Sequence, residues 1–191
     1  MRGKRTSRNA DTRACVLVVA AALAFVAGCG FGDKPDLPPI YPEDLVVGSS
    51  QPGGGALTLF FDFAEQVPLT RSATLGPLVL YSNIDPAFDG ALEDDPDVPS
   101  YVLAAEIPLT VELVSIDEGA SARFDETVLS APGDTAEFTM GPGGHFHPEW
   151  RVVAPEGAVP EPHTVSFRVG DASGRYLSST VYTLTLVVTD P

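Results

Sequence analysis

Cysteine is nearly absent, with Cys15 and Cys29 the only two in 191 residues. Two thiols exclude a disulfide-stapled scaffold and a four-cysteine zinc site. Basic residues are scarce as well, 11 Lys and Arg against 26 Asp and Glu, for a formal net charge of −15. Such a chain lacks the clustered cations that displace counterions from nucleic acid, so no nucleic-acid partner is expected. No apolar run reaches the ~20 residues that cross a bilayer comfortably. Beyond position 28 no segment carries a 3.6-residue apolar stripe, and no fixed-period repeat is visible. A Gly-x-Ser-x-Gly elbow is missing too, which removes one common hydrolase signature. What is plentiful is glycine and proline, 18 of each, beside a hydrophobic fraction of 44%. That balance suits a globular core with many turns rather than a disordered chain.

The few positive charges are unevenly placed. Arg2, Lys4, Arg5, Arg8 and Arg13 precede the apolar run Ala14 to Ala27, and Asp11 is the one acid before position 29. A basic start followed by a short apolar stretch reads as a secretory signal over residues 1–28. Its end, Val26-Ala27-Gly28-Cys29, resembles the lipobox of bacterial lipoproteins: aliphatic, small, small, Cys. The resemblance implies cleavage before Cys29, a diacylglycerol thioether on its sulfur and acylation of the new amino terminus. It therefore implies anchorage to a membrane through Cys29, in the outer membrane if the host is Gram-negative. Several acyl chains, at ~0.8 kcal/mol per buried CH2, anchor firmly. With Cys15 discarded and Cys29 lipidated, the mature chain has no thiolate nucleophile.

Residues 29–55 are rich in proline, then in glycine, and read as a lipidated Cys followed by a linker. The periodicity then becomes two. Leu57, Leu59, Phe61 and Phe63 alternate along one face, as do Leu109, Val111 and Leu113. Val165, Phe167 and Val169 follow the same rule, as do Tyr182, Leu184, Leu186 and Val188. Residues 77–82 form a short apolar run. Short strands punctuated by Pro and Gly imply an all-β domain over 56–191. The expected architecture is an antiparallel β-sandwich, immunoglobulin-like, with seven or eight strands around one core. The acidic run 85–97 carries six carboxylates and reads as a solvated loop. Calcium is the functional reading of that run, but its spacing does not fit the EF-hand loop.

One constellation has chemical content. In Gly141-Pro142-Gly143-Gly144-His145-Phe146-His147-Pro148-Glu149-Trp150, the residues His145, His147 and Glu149 sit two apart. An extended segment points all three to one side. Two imidazoles and a carboxylate suit Zn2+ or a similar divalent transition ion. His163 is the remaining imidazole and joins them only if strand pairing brings it near. Met140 reads as core packing rather than a copper ligand. Cupins also carry His-x-His, but Glu149 and Glu156 are wrongly spaced from His147 for their pattern.

The stretch 109–188 resembles the extracytoplasmic domains of bacterial surface-anchored proteins found beside metal ABC transporters or under zinc-responsive repression. The shared pieces begin with Val111-Glu112-Leu113-Val114-Ser115-Ile116-Asp117 and Gly144-His145-Phe146-His147-Pro148-Glu149-Trp150. Pro155-Glu156-Gly157, His163-Thr164-Val165-Ser166-Phe167 and the closing strand from Tyr182 follow in the same order. The resemblance implies a β-sandwich that handles a transition metal outside the cytoplasm. It implies His145 and His147 as ligands, Trp150 as a packing residue and a metal transporter or other envelope protein as partner. Several residues are inserted after Gly157, and His163 stands where that family has Tyr. Glu149 occupies a variable position, so its candidacy rests on spacing alone. The expected function is non-enzymatic zinc buffering or delivery in the cell envelope. The competing reading is a non-catalytic structural, adhesive or protein-interaction lipoprotein without metal.

Overall fold

The computed structural model describes residues 43–189 apart from Pro99 and Val159. The signal segment, Cys29 and most of the linker lie outside the described residues. Thirteen strands run in order: β1 Leu45–Gln51, β2 Gly54–Phe60, β3 Gln66–Leu75, β4 Leu78–Asn83 and β5 Phe88–Gly90. They continue with β6 Ile107–Ile116, β7 Ala120–Phe124, β8 Thr127–Leu129 and β9 Thr135–Met140. The last four are β10 His145–Phe146, β11 Glu149–Pro155, β12 His163–Asp171 and β13 Tyr182–Val188. No helix occurs among the described residues, and the domain is an all-β sandwich of two sheets.

The smaller sheet has the order β10-β5-β1-β2 and the larger β8-β7-β11-β4-β3-β13-β12-β6-β9. The larger sheet curls until β8 and β9, its two ends, approach one another. Most pairs are antiparallel, but β1 pairs with β5 and β13 with β3 in parallel. Neither parallel pair is visible in a local pattern, because each joins strands separated by several others.

The alternating runs behave as their period demands. Leu109, Val111 and Leu113 are buried on β6, Val165, Phe167 and Val169 on β12, and Leu184, Leu186 and Val188 on β13. Each strand turns one face to the core and the other to solvent. The strand count exceeds the expected seven or eight because several strands carry little apolar signal. β7 buries Ala120 and Ala122, β5 has three residues and β10 only two. The domain also starts earlier than position 56. Leu45–Gln51, assigned to the linker from its surroundings, forms β1, with Leu45 and Val47 fully buried. Proline and glycine on either side masked a strand whose apolar positions pair with β2 and β5.

Aromatic rings join the two sheets. Phe88, on β5 of the smaller sheet, is fully buried. Its ring lies 5.1 Å from Phe138 and 6.1 Å from both Phe124 and Phe167, all on the larger sheet. Trp150 is also fully buried, with Phe167 at 5.9 Å and Phe124 at 6.3 Å. Its Nε1–H donates to the Pro86 carbonyl at 3.1 Å, which ties the segment before β5 to the core. Offset and edge-on contacts of this kind add to the burial of large apolar area. Phe88→Ala should therefore lower the unfolding free energy by about 3–5 kcal/mol, the usual cost of emptying a buried phenylalanine site. A shift of the urea midpoint at unchanged slope is the check.

Candidate metal centre

The site grows from one pair of cross-strand neighbours. β10 pairs antiparallel with β5, placing His145 opposite Asp89 and Phe146 opposite Phe88. Side chains alternate, so the two phenylalanines turn inward together and His145 and Asp89 turn outward together. Phe146 stacks on Phe138 at 4.8 Å and on Phe124 at 5.8 Å, which seats this short strand on the aromatic core.

Glycine makes the approach possible. The Gly90 N–H donates to the Gly144 carbonyl at 2.8 Å, and the Gly143 N–H donates to the Gly90 carbonyl at 3.1 Å. A Cβ on Gly90 would lie 1.8 Å from the Gly141 carbonyl oxygen, so a side chain there would push the histidine loop off β5. Met140 packs beneath this loop and is buried, as a core side chain.

Outward from this frame, His145 Nδ1 bonds the Asp89 carboxylate. The two Nε2 atoms of His145 and His147 converge to 2.7 Å, with the rings edge to face. His147 Nδ1 donates to the Ile84 carbonyl at 3.3 Å and lies 3.5 Å from Asp85 Oδ1. Asp44, just before β1, accepts the Ala87 N–H at 2.7 Å. Ligand atoms of Asp44, Asp89 and His145 all lie within 4.8 Å of one another. Both histidine side chains remain over two-fifths exposed, so the site opens to solvent.

The geometry assigns the protons. Both Nδ1 atoms face acceptors, so both carry hydrogen, and the two Nε2 atoms must then share one proton or a cation between their lone pairs. The Asp89 hydrogen bond raises the His145 pKa. Burial opposes that shift, and the charges of Asp89, Asp44 and Asp85 reinforce it. A proton on His145 Nε2 lies in line with the Nε2 lone pair of His147. The chain of hydrogen bonds runs Asp89, His145, His147, Ile84 carbonyl.

Two expected ligands are not brought to this place. Pro148 ends the extended segment after two residues of β10, and Glu149 starts β11 on the other sheet. There its carboxylate is held at 2.6 Å by both Arg123 and Arg151. Burial pushes the Glu149 carboxyl up, but the Arg151 hydrogen bond and the two arginine charges outweigh it and the pKa falls. His163 opens β12 in the larger sheet, where Nδ1 donates to the Glu161 carbonyl at 2.7 Å. β12 pairs with β6 and β13, not with β10 or β11, so His163 stays with Asp117 and Gly119. The carboxylates that lie near the two imidazoles are instead Asp44 and Asp89, grouped with His145, and Asp85, beside His147. Asp85 and Asp89 belong to the acidic run read as a solvated loop. The available signal was Asp89 beside the apolar Phe88, one step of a two-residue alternation.

Asp89→Asn should lower the His145 pKa toward the ordinary imidazole value, as read from the imidazole proton shifts in an NMR titration. A raised imidazole pKa stabilises the fold below the unfolded value, and the gain fades as pH rises through the folded value. The variant should accordingly lose stability on the acid side of that window and match the parent above it.

No family profile and no curated protein matches the chain. Among solved structures, the N-terminal domain of PorA is similar at 12% identity and a TM-score of 0.38, covering 68% of this chain and 91% of that one.

Proposed function

We propose that the protein is a lipid-anchored, extracytoplasmic β-sandwich that binds a transition metal, zinc-like in its preferences, for buffering or delivery. The observation that carries this reading is the convergence of the His145 and His147 Nε2 atoms while both Nδ1 atoms are held by acceptors. Metal-bound histidines characteristically donate their other N–H to a carboxylate or carbonyl, which fixes ring direction and raises basicity. Asp89 and the Ile84 carbonyl occupy those outer positions. Nitrogen ligands of a tetrahedral zinc at ~2.0–2.1 Å lie about 3.3 Å apart, so the 2.7 Å pair must open by roughly 0.6 Å. Exposed side chains permit that small swing. Asp44 and Asp85 supply nearby oxygen donors, and the open face suits an ion that exchanges rather than one sealed in place. The role is binding, not catalysis, and the lipid anchor at Cys29 places it in the cell envelope.

The proton shared by the imidazoles must leave when a metal enters. Zinc titration of the full chain should release about one proton per ion, measured by calorimetry in two buffers of different ionisation enthalpy. Affinity should fall as pH drops below the raised His145 value, because the proton then competes with the ion. The double variant His145→Ala, His147→Ala should lose zinc binding, whereas Glu149→Gln and His163→Ala should retain it. Unchanged stoichiometry in the double histidine variant would overturn the metal reading. The histidines would then be a hydrogen-bonded clamp on a structural or partner-binding module.

The anchor has its own test. Produced in a bacterium fed radiolabelled palmitate, the wild-type chain should incorporate label and sediment with membranes. Cys29→Ser should do neither, and labelling that survives the change would remove the lipid from the proposal.

A further inference from the structure

A second concavity lies beside the histidines without using them. It is a cleft of about 320 Å³ between the start of the domain, the β2–β3 turn, the head of β3 and the segment that enters β5. Phe61, Val67 and Pro86 form its buried apolar floor. Glu43, Glu65 and Asp85 stand at its rim, all exposed. The volume is at the lower end of the range for small-molecule clefts.

The charge around it is one-sided. Among the described residues, Arg71 is paired with Glu156, Arg123 and Arg151 with Glu149, and Arg168 with Glu112. Arg175 lies over the Tyr176 ring at 5.8 Å. Every described arginine is thus engaged elsewhere, and among the described residues Glu43 and Glu65 form no ion pair. The imidazole next to the cleft is that of His147, whose Nδ1 is 3.5 Å from Asp85 Oδ1 and turned toward the Ile84 carbonyl. Three carboxylates repel an anion. An apolar floor gives a hydrated metal ion nothing to bind. A ligand that matches both features has an apolar body and a positive end, and a low-dielectric floor beneath the rim strengthens the attraction between charges.

We infer that this cleft binds a small organic cation, a protonated amine or guanidinium carried on an aromatic or aliphatic body. The body rests on Phe61, Val67 and Pro86, and the cation meets Glu43, Glu65 and Asp85. The cleft contains neither imidazole and shares only Asp85 with the neighbourhood of the histidines, so Glu43 and Glu65 are the residues that test it independently. A test in chelator keeps the two separate.

The experiment is calorimetric titration of the full chain in EDTA with three probes that share one aryl body: phenethylammonium, 2-phenylethanol and 3-phenylpropionate. The expected result is one phenethylammonium per chain with a dissociation constant of about 1 mM or tighter. The alcohol should bind at least about tenfold more weakly, and the carboxylate should not bind. Raising the salt from about 20 to about 200 mM should weaken the cation and leave the alcohol unchanged. The double variant Glu43→Gln, Glu65→Gln, shown to be folded by an unaltered thermal midpoint, should lose at least about tenfold in affinity for the cation. Absence of phenethylammonium binding at about 10 mM, equal affinity for the alcohol, or an unaffected double variant would each overturn the inference.

Discussion

Phe88 sits where the two sheets have to agree. It belongs to a strand of three residues in the smaller sheet, yet its ring is surrounded by Phe124, Phe138 and Phe167 of the larger one. So short a strand has too few ladder hydrogen bonds to hold its own position. Burial of the ring adds the rest, about 1.5–3 kcal/mol for a phenylalanine removed from water. β5 in turn carries β1 on one side and β10 on the other, so the placement of the smaller sheet follows from this contact. Trp150 adds a second hold through its bond to the Pro86 carbonyl, just ahead of the same strand.

The candidate centre is the outer face of that arrangement. Phe88 and Phe146 point inward, so Asp89 and His145 must point outward and meet. Hydrophobic burial therefore sets the direction of a polar pair that contributes little to the core. The Gly90 contact with the Gly141 to Gly144 loop then allows the backbone to lie close enough for His147 to reach His145. The exposed pair of imidazoles thus rests on a rigid support, and the packing beneath fixes their direction.

Charge shapes the rest of the surface. Among the described residues four of the five arginines are ion-paired, and all four lie on strands of the larger sheet. The acids near β5 consequently keep their field. It supports the His145 proton and leaves the rim of the neighbouring cleft acidic. The Arg71–Glu156 and Arg168–Glu112 pairs are largely exposed, and pairs of that kind contribute little to stability. Their importance lies in which carboxylates they leave unneutralised.

Strands with a clear two-residue alternation were legible from the chain alone. β6, β12 and β13 match their apolar runs, and the burial of Leu109, Val165 and Leu184 follows from period two. β5, β7 and β10 were not legible, because a strand of two or three residues, or one built on alanine, has almost no pattern to read, and β1 was hidden by the proline and glycine around it. The histidine motif announced a polar centre, yet its membership was decided in three dimensions. Local spacing offered Glu149, and a kink at Pro148 sent it to Arg123 and Arg151. Asp89 is 56 residues away from His145 and became its partner through strand register. The sequence by itself determined the all-β class, the acidic surface and the identity of two imidazoles, since composition and short-range period encode these. Only the tertiary structure decided which carboxylates face those imidazoles, because a register between distant strands is set by burial of the opposite face and leaves no local trace.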